Sequence, residues 1–166
     1  MTIRNKQGFI VDLDGTLYRG HERLPYALEF IAAVRAADCP MLLMTNNSTR
    51  TPEQVAEHLC DLGIPASSDN VFTSSQAAVQ YLKQDGRGNR VYGIGEHGLL
   101  TELEHAGYEL VDNEANYVLQ GLDRKFDYAK LSHAQRLIDD GAIFVQTTPD
   151  LRLPMESGVI PGAGTL

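Results

Sequence analysis

The sequence predicts an α/β fold built on parallel strands. Three observations carry that reading. Short apolar runs alternate with segments of helical periodicity, and Pro, Gly and small polar residues stand where helices should start and stop. The composition is also ordinary for a globular chain, with 43% hydrophobic and 22% charged residues over 166 positions. That length allows one good core and part of a second, since domains usually run to ~100–150 residues. No apolar run approaches the ~18–20 residues of a membrane span. The polar opening MTIRNKQ leads straight into a strand and does not read as a signal peptide, so the expected location is cytoplasmic. Acidic residues number 22 against 14 basic ones, a net charge of −8. Such a chain is ill suited to sequence-independent nucleic-acid binding, which depends on Lys and Arg against phosphates. Cys39 and Cys60 are too few and too far apart for a disulfide framework or a zinc site, and read as reduced thiols.

Each element has its own signal. Residues 8–13 (GFIVDL) form a continuous apolar run that ends in Asp and Gly, as a buried strand does. Pro25 fits a first helical position, with Leu28, Ile31, Ala32 and Arg35 following at helical spacing. Residues 40–45 are the second strand. Thr51 as N-cap, Pro52 behind it, Gln54 closing a capping box and Gly63 as the stop define the second helix. Residues 70–73 make a third strand, and Ser74 or Ser75 caps a helix to about Lys83. The polar stretch DGRGN, 85–89, is the best boundary candidate, dividing the chain into 1–84 and 85–166. Beyond it come a strand at 90–94, a helix at 99–105, a strand at 117–119, a helix from the Asp127 cap to Asp139, and a strand at 142–146. The tail PMESGVIPGAGTL ends without a regular element in this reading.

The chemistry concentrates in FIVDLDGTLY, residues 9–18. Asp12 and Asp14 flank Leu13 at the carboxyl end of the first strand, where open parallel sheets place ligands. Period-2 alternation turns both carboxylates to one side. Two carboxylates at one site repel, and a hard divalent cation, magnesium above all, resolves this while bridging to phosphate oxygens. Gly15 permits a sharp turn and close approach of backbone N–H groups to an anion. Against this stands an ordinary acidic turn, which leaves the second acid and the Gly-Thr pair without a reason. After the second strand, Thr45, Asn46 and Asn47 offer neutral donors that hold phosphate oxygens without adding a competing anion.

Together these segments resemble the haloacid dehalogenase superfamily. Residues 12–17 (DLDGTL) match its first motif and residues 45–48 (TNNS) its second. VFTSSQAA (71–78), VYGIGEHGL (91–99), AIFVQTTPD (142–150) and VIPGAGTL (159–166) narrow the likeness to the NagD-like, p-nitrophenylphosphatase-like branch, whose members insert an α/β cap into the core. The resemblance implies a partial Rossmann-like parallel core, 1–84, and a cap, 85–166. It implies Mg2+-dependent hydrolysis of small phosphorylated metabolites, with Asp12 as nucleophile and Asp14 as general acid and base. Asp12 and the main-chain carbonyl of Asp14 would hold the metal, and Thr45 and Asn46 the phosphoryl oxygens. The family's third and fourth motifs, a Lys and a distal acid, find no match in the 166 residues, so the chain reads as truncated before them. Lys6, Lys83, Lys125 and Lys130 all stand in the wrong places, and Asp139-Asp140 ends a helix instead of a strand. In the family the first strand is central, so an uncovered edge there makes homo-oligomerisation an expectation. A competing reading is an incompetent fragment that binds metal or phosphate weakly, or only oligomerises. The five histidines show no ligand spacing, and GIGEHG reads as a turn. Thr147, Thr148 and Asp150 form either a loop facing substrate or a plain strand-end turn.

Overall fold

The computed structural model describes residues 8–155 and 158–166, in two compact units. The first comprises β1 (Phe9–Asp12), the short hairpin of β2 (Tyr18–Arg19) and β3 (Glu22–Arg23), α1 (Ala27–Ala36), β4 (Met41–Thr45), α2 (Pro52–Asp61) and most of β5 (Val71–Thr73). Its sheet has the order β1-β4-β5, and β1 runs parallel to β4 from Phe9↔Met41 to Asp12↔Met44. Val11, Leu13, Ile31, Leu43, Leu59 and Ile64 meet in its core, and Leu13 is fully buried. Among the described residues β1 is an edge strand, and Ile10 on it is 73% exposed.

The second unit holds α3 (Ser74–Asp85), β6 (Arg90–Ile94), α4 (His97–His105), β7 (Glu109–Leu110), β8 (Tyr117–Gln120), α5 (Tyr128–Asp139) and β9 (Ile143–Gln146). Its all-parallel sheet has the order β7-β6-β8-β9. β8 lies inside, and all four of its residues are buried, as a parallel strand covered on both faces requires. The alternation is clean. Tyr117 and Leu119 pack with Val79 and Leu82 of α3 and Leu99 and Leu103 of α4, whereas Val118 packs with Ala134 and Leu137 of α5. A small separate sheet joins β10 (Arg152–Met155) to β11 (Gly158–Pro161).

Several boundaries differ from the sequence reading. α1 starts two residues after Pro25, because Tyr26 takes a left-handed conformation (φ 66°) as N-cap. Thr73, not Ser74 or Ser75, caps α3: its hydroxyl accepts from the Gln76 N–H and Gln76 answers, a complete capping box. α3 runs on to Asp85 before Gly86 ends it in the left-handed region, and α4 begins at His97. β2, β3, β7, β10 and β11 are additional. The division between the units falls at Phe72/Thr73, not at 84/85, because Ala78, Val79 and Leu82 of α3 pack into the second core. Segment Asn46–Thr51 also belongs to the second unit. Ser48 explains why: its carbonyl accepts from Ser75 Oγ and its Oγ from the Leu122 N–H. Cys39 and Cys60 are not joined in a disulfide, and among the described residues no helix is long and apolar enough to cross a membrane. Lys6 lies outside the described residues.

Candidate active site

β1 delivers Asp12 and Asp14 to the carboxyl end of the first unit's sheet. Leu13 between them is fully buried, and both acids are exposed, so the alternation anchors Leu13 in the core and turns the two carboxylates outward. A tight loop follows. The N–H groups of Thr16 and Leu17 return to the Leu13 carbonyl at 3.2 and 2.9 Å, and Gly15, at φ +84°, donates to the Tyr18 carbonyl at 2.8 Å. Only a residue without Cβ takes that conformation readily. The Gly15 N–H is thereby committed to the loop.

Hydroxyl groups orient both acids. Thr16 Oγ1 donates to Asp12 Oδ2 at 3.1 Å. Asp14 Oδ2 accepts from Tyr18 at 3.2 Å and from Thr45 at 3.3 Å. Tyr18 and Thr45 are themselves buried, so these donors sit on a fixed scaffold. In each acid it is Oδ2 that accepts from these hydroxyls. Sequence reasoning missed Thr16 and Tyr18. Their signal is the spacing of four residues from Asp12 and Asp14, which the folded loop converts into contact.

Thr45, at the end of β4, stands beside Asp14. Asn46 and Asn47 lie in the second unit. Asn46 Nδ2 donates to the Asp150 carboxylate, and Asn47 Oδ1 accepts from both the N–H and the hydroxyl of Thr49. Asn47 thus closes an Asx-type turn. The Asp150 N–H donates to Thr148 Oγ1 at 3.3 Å. Lys130 is paired with the buried Asp123, at 2.5 Å.

The donor set suits a small hard cation: two outward carboxylates and no sulfur or imidazole. Among the described residues, no group of three or more His, Cys, Asp or Glu could hold a metal.

A haloacid dehalogenase-like hydrolase family model matches residues 9–109, spanning β1, the acidic loop and the strands beyond it. The chain belongs to the haloacid dehalogenase-like hydrolases. Among relatives, a 5'-nucleotidase of Bacillus subtilis is 38% identical over 99% of this chain, and an acid sugar phosphatase of Staphylococcus epidermidis 41% identical over the same share. The chain spans 64% of the length of each. Solved structures agree. A double mutant of a thermostable NPPase of Geobacillus stearothermophilus superposes with a TM-score of 0.91 at 42% identity, over 98% of this chain and 64% of that one. A glycerol phosphate phosphatase of Mycobacterium tuberculosis, solved with magnesium, gives 0.87 at 34%, over 94% of this chain and 48% of that one. This haloacid dehalogenase-like hydrolase thus shares its α/β architecture with phosphatases of the p-nitrophenyl phosphatase type.

Proposed function

We propose that this chain carries the phosphoryl-accepting part of a phosphatase for small phosphate monoesters. The first unit is read as the catalytic part and the second as the cap. The observation that supports this most is the Asp12–Leu13–Asp14 arrangement: two exposed carboxylates at a strand end, fixed by a buried Leu13, with hydroxyl donors on one oxygen of each.

In this reading Asp12 attacks. A carboxylate is ionised at neutral pH and needs no base to activate it. Its oxygen forms a bond to phosphorus while the bond from phosphorus to the ester oxygen breaks, and protonated Asp14 gives its proton to the leaving alcohol. Asp14, now a carboxylate, takes a proton from water as that water attacks the acyl phosphate, releasing inorganic phosphate and restoring Asp12. Tyr18 and Thr45 hold Asp14 in position through both steps. Magnesium, when bound, supplies charge neutralisation between the carboxylates and the phosphoryl oxygens. The Asp12 carboxylate and the Asp14 main-chain carbonyl would hold it, and Thr45 would hold a phosphoryl oxygen.

The substrate class follows the relatives: sugar phosphates, nucleoside monophosphates and p-nitrophenyl phosphate. The test is a panel of such monoesters beside a folded phosphoprotein, with acid-quench trapping of phosphoenzyme. Hydrolysis of small esters is expected, with label trapped on wild type and none on Asp12→Asn. Efficient dephosphorylation of the phosphoprotein would overturn the substrate class, and label retained in Asp12→Asn would overturn the nucleophile.

Metal affinity provides a separate check. Two carboxylates on an exposed loop should bind magnesium weakly. Titration calorimetry of the 166-residue chain is expected to detect no sub-micromolar site, and Asp12→Asn to weaken whatever binding there is. A tight site that survives that substitution would place the metal elsewhere.

A further inference from the structure

α2 lines the first unit's core with Val55, Ala56 and Leu59, and the half-buried His58 flanks that stripe, one helical turn on from Val55. His58 has two partners on the β2–β3 hairpin. Its ring meets the Tyr18 ring edge-to-face, with centroids 5.0 Å apart and planes at 86°. Its Nε2 lies 3.1 Å from the carbonyl of Gly20, in the hairpin turn. A carbonyl oxygen only accepts, so Nε2 carries a proton and donates it. The exposed His21 ring lies against the same imidazole, at 5.6 Å between centroids. Arg23 supplies a second tie: its Nη1 donates to the Leu62 carbonyl, just beyond α2, at 2.6 Å. The hairpin is thus fastened to α2 at two points.

We infer that His58 is a positioning residue for Asp14, acting through the Tyr18 ring; the inference rests on Asp14 being the general acid and base. The loop fixes the Tyr18 backbone, whose carbonyl accepts from Gly15 and whose N–H donates to Leu13. The phenolic oxygen is less constrained, because rotation about Cα–Cβ swings it through an arc. It donates to Asp14 Oδ2 at 3.2 Å, longer than the usual O–H···O bond, so a small swing breaks the contact. His58, held in turn by the Gly20 carbonyl, stands against the ring and opposes that swing. An aliphatic side chain would fill the space but give Gly20 no donor, and a lysine would give the donor but no ring edge. Imidazole does both. Thr45 supports Asp14 from β4 at 3.3 Å, so loss of His58 loosens the acid without releasing it. A misplacement of about 1 Å can cost a reaction ~10²-fold. Here the cost falls on proton transfer and not on attack by Asp12, whose own hydroxyl donor is Thr16.

The test uses the 166-residue chain with carboxyl-labelled aspartate and carbon NMR, the Asp14 signal being assigned by Asp14→Asn. At constant pH, Tyr18→Phe removes the donor and displaces that signal. His58→Ala is expected to displace it in the same direction. In a Tyr18→Phe background it should add nothing, because both changes then lie on one path. His58→Gln, which keeps a donor for Gly20 but no ring, should give a smaller displacement, and serves if the alanine variant loosens the hairpin. Phosphoryl transfer supplies a second readout. p-Nitrophenolate departs without a proton, whereas the alcohol of glycerol phosphate requires one. His58→Ala should slow formation of acid-trapped phosphoenzyme from glycerol phosphate about tenfold, and from p-nitrophenyl phosphate less than about threefold. Lost packing alone would slow both alike. An Asp14 signal indifferent to His58→Ala overturns the inference, as does an equal displacement with and without the Tyr18 hydroxyl, or equal slowing with the two esters. Wild type that traps no label from either ester would instead overturn the roles given to Asp12 and Asp14, and the carboxyl signal would still decide whether His58 acts through Tyr18.

Discussion

The purified 166-residue chain is expected to hydrolyse p-nitrophenyl phosphate at least ~10²-fold more slowly than its longer relatives, and Asp12→Asn to abolish the remainder. Charge sets this rate. Phosphoryl transfer depends almost wholly on positioning and on neutralising the transferring group. The Asp12 carboxylate stands on a protein whose net charge is −8, and the substrate brings further negative charge. Among the described residues the first unit contains no lysine: Lys83, Lys125 and Lys130 all belong to the second. The donors beside the acids, Thr16, Tyr18 and Thr45, are neutral hydroxyls. Losing a single stabilising donor from a reaction site costs ~10²–10³ in rate. Steady-state assays with and without magnesium measure the effect. Turnover at the relatives' rate, lost in Asp12→Asn, would show that a cation from this chain or a neighbouring copy completes the site.

Gly98→Val is expected to destabilise the second unit by about 2–4 kcal/mol, a large part of the ~5–15 kcal/mol that holds a typical domain. A Cβ at this position would stand 2.4 Å from the Arg50 carbonyl carbon and 2.5 Å from its nitrogen and oxygen. All three are backbone atoms, so no side chain can swing aside. The Gly98 N–H also donates to the Thr49 carbonyl at 3.0 Å, a bond the displaced helix end would lose. Gly107→Ala is the contrast. Gly107 has φ +84° but nothing within 4 Å of a built Cβ, so only the left-handed conformation is penalised, at about 1 kcal/mol. Urea unfolding of the two variants separates contact from conformation. A Gly98→Val midpoint no lower than that of Gly107→Ala would refute the contact argument.

What the sequence disclosed was local. The apolar run into Asp12, the alternation about Leu13 and the Asp127 cap are all written in a few adjacent residues, and they reappear in the fold. Asp127 does cap α5, its carboxylate accepting from the Lys130 N–H. Features that depend on distant partners were not legible. Ser48 reads as one hydroxyl in a polar loop until Ser75 and Leu122 arrive from 27 and 74 residues away. β7 is only two residues long, and β10 and β11 carry Pro154 and Pro161, which argue against a strand until a partner is present. At the site, the acids were legible because their chemistry is rare at a strand end. Tyr18 was not, since a tyrosine after an apolar residue reads as core, which it also is.

Neither unit is written in one stretch of the gene. The chain enters the second unit at Asn46, leaves it at Pro52 and enters again at Thr73. A recombination event that moved only the stretch after DGRGN would carry the sheet of β6 to β9 without α3, and strip Val91, Leu119 and Tyr117 of the helix that covers them. Moving everything from Thr73 onward would still leave behind Ser48, and with it the acceptors for Ser75 and Leu122. A transfer that kept the second unit's packing intact would have to begin at Asn46, taking the short polar run after β4 with the unit it braces and not with the strand it follows.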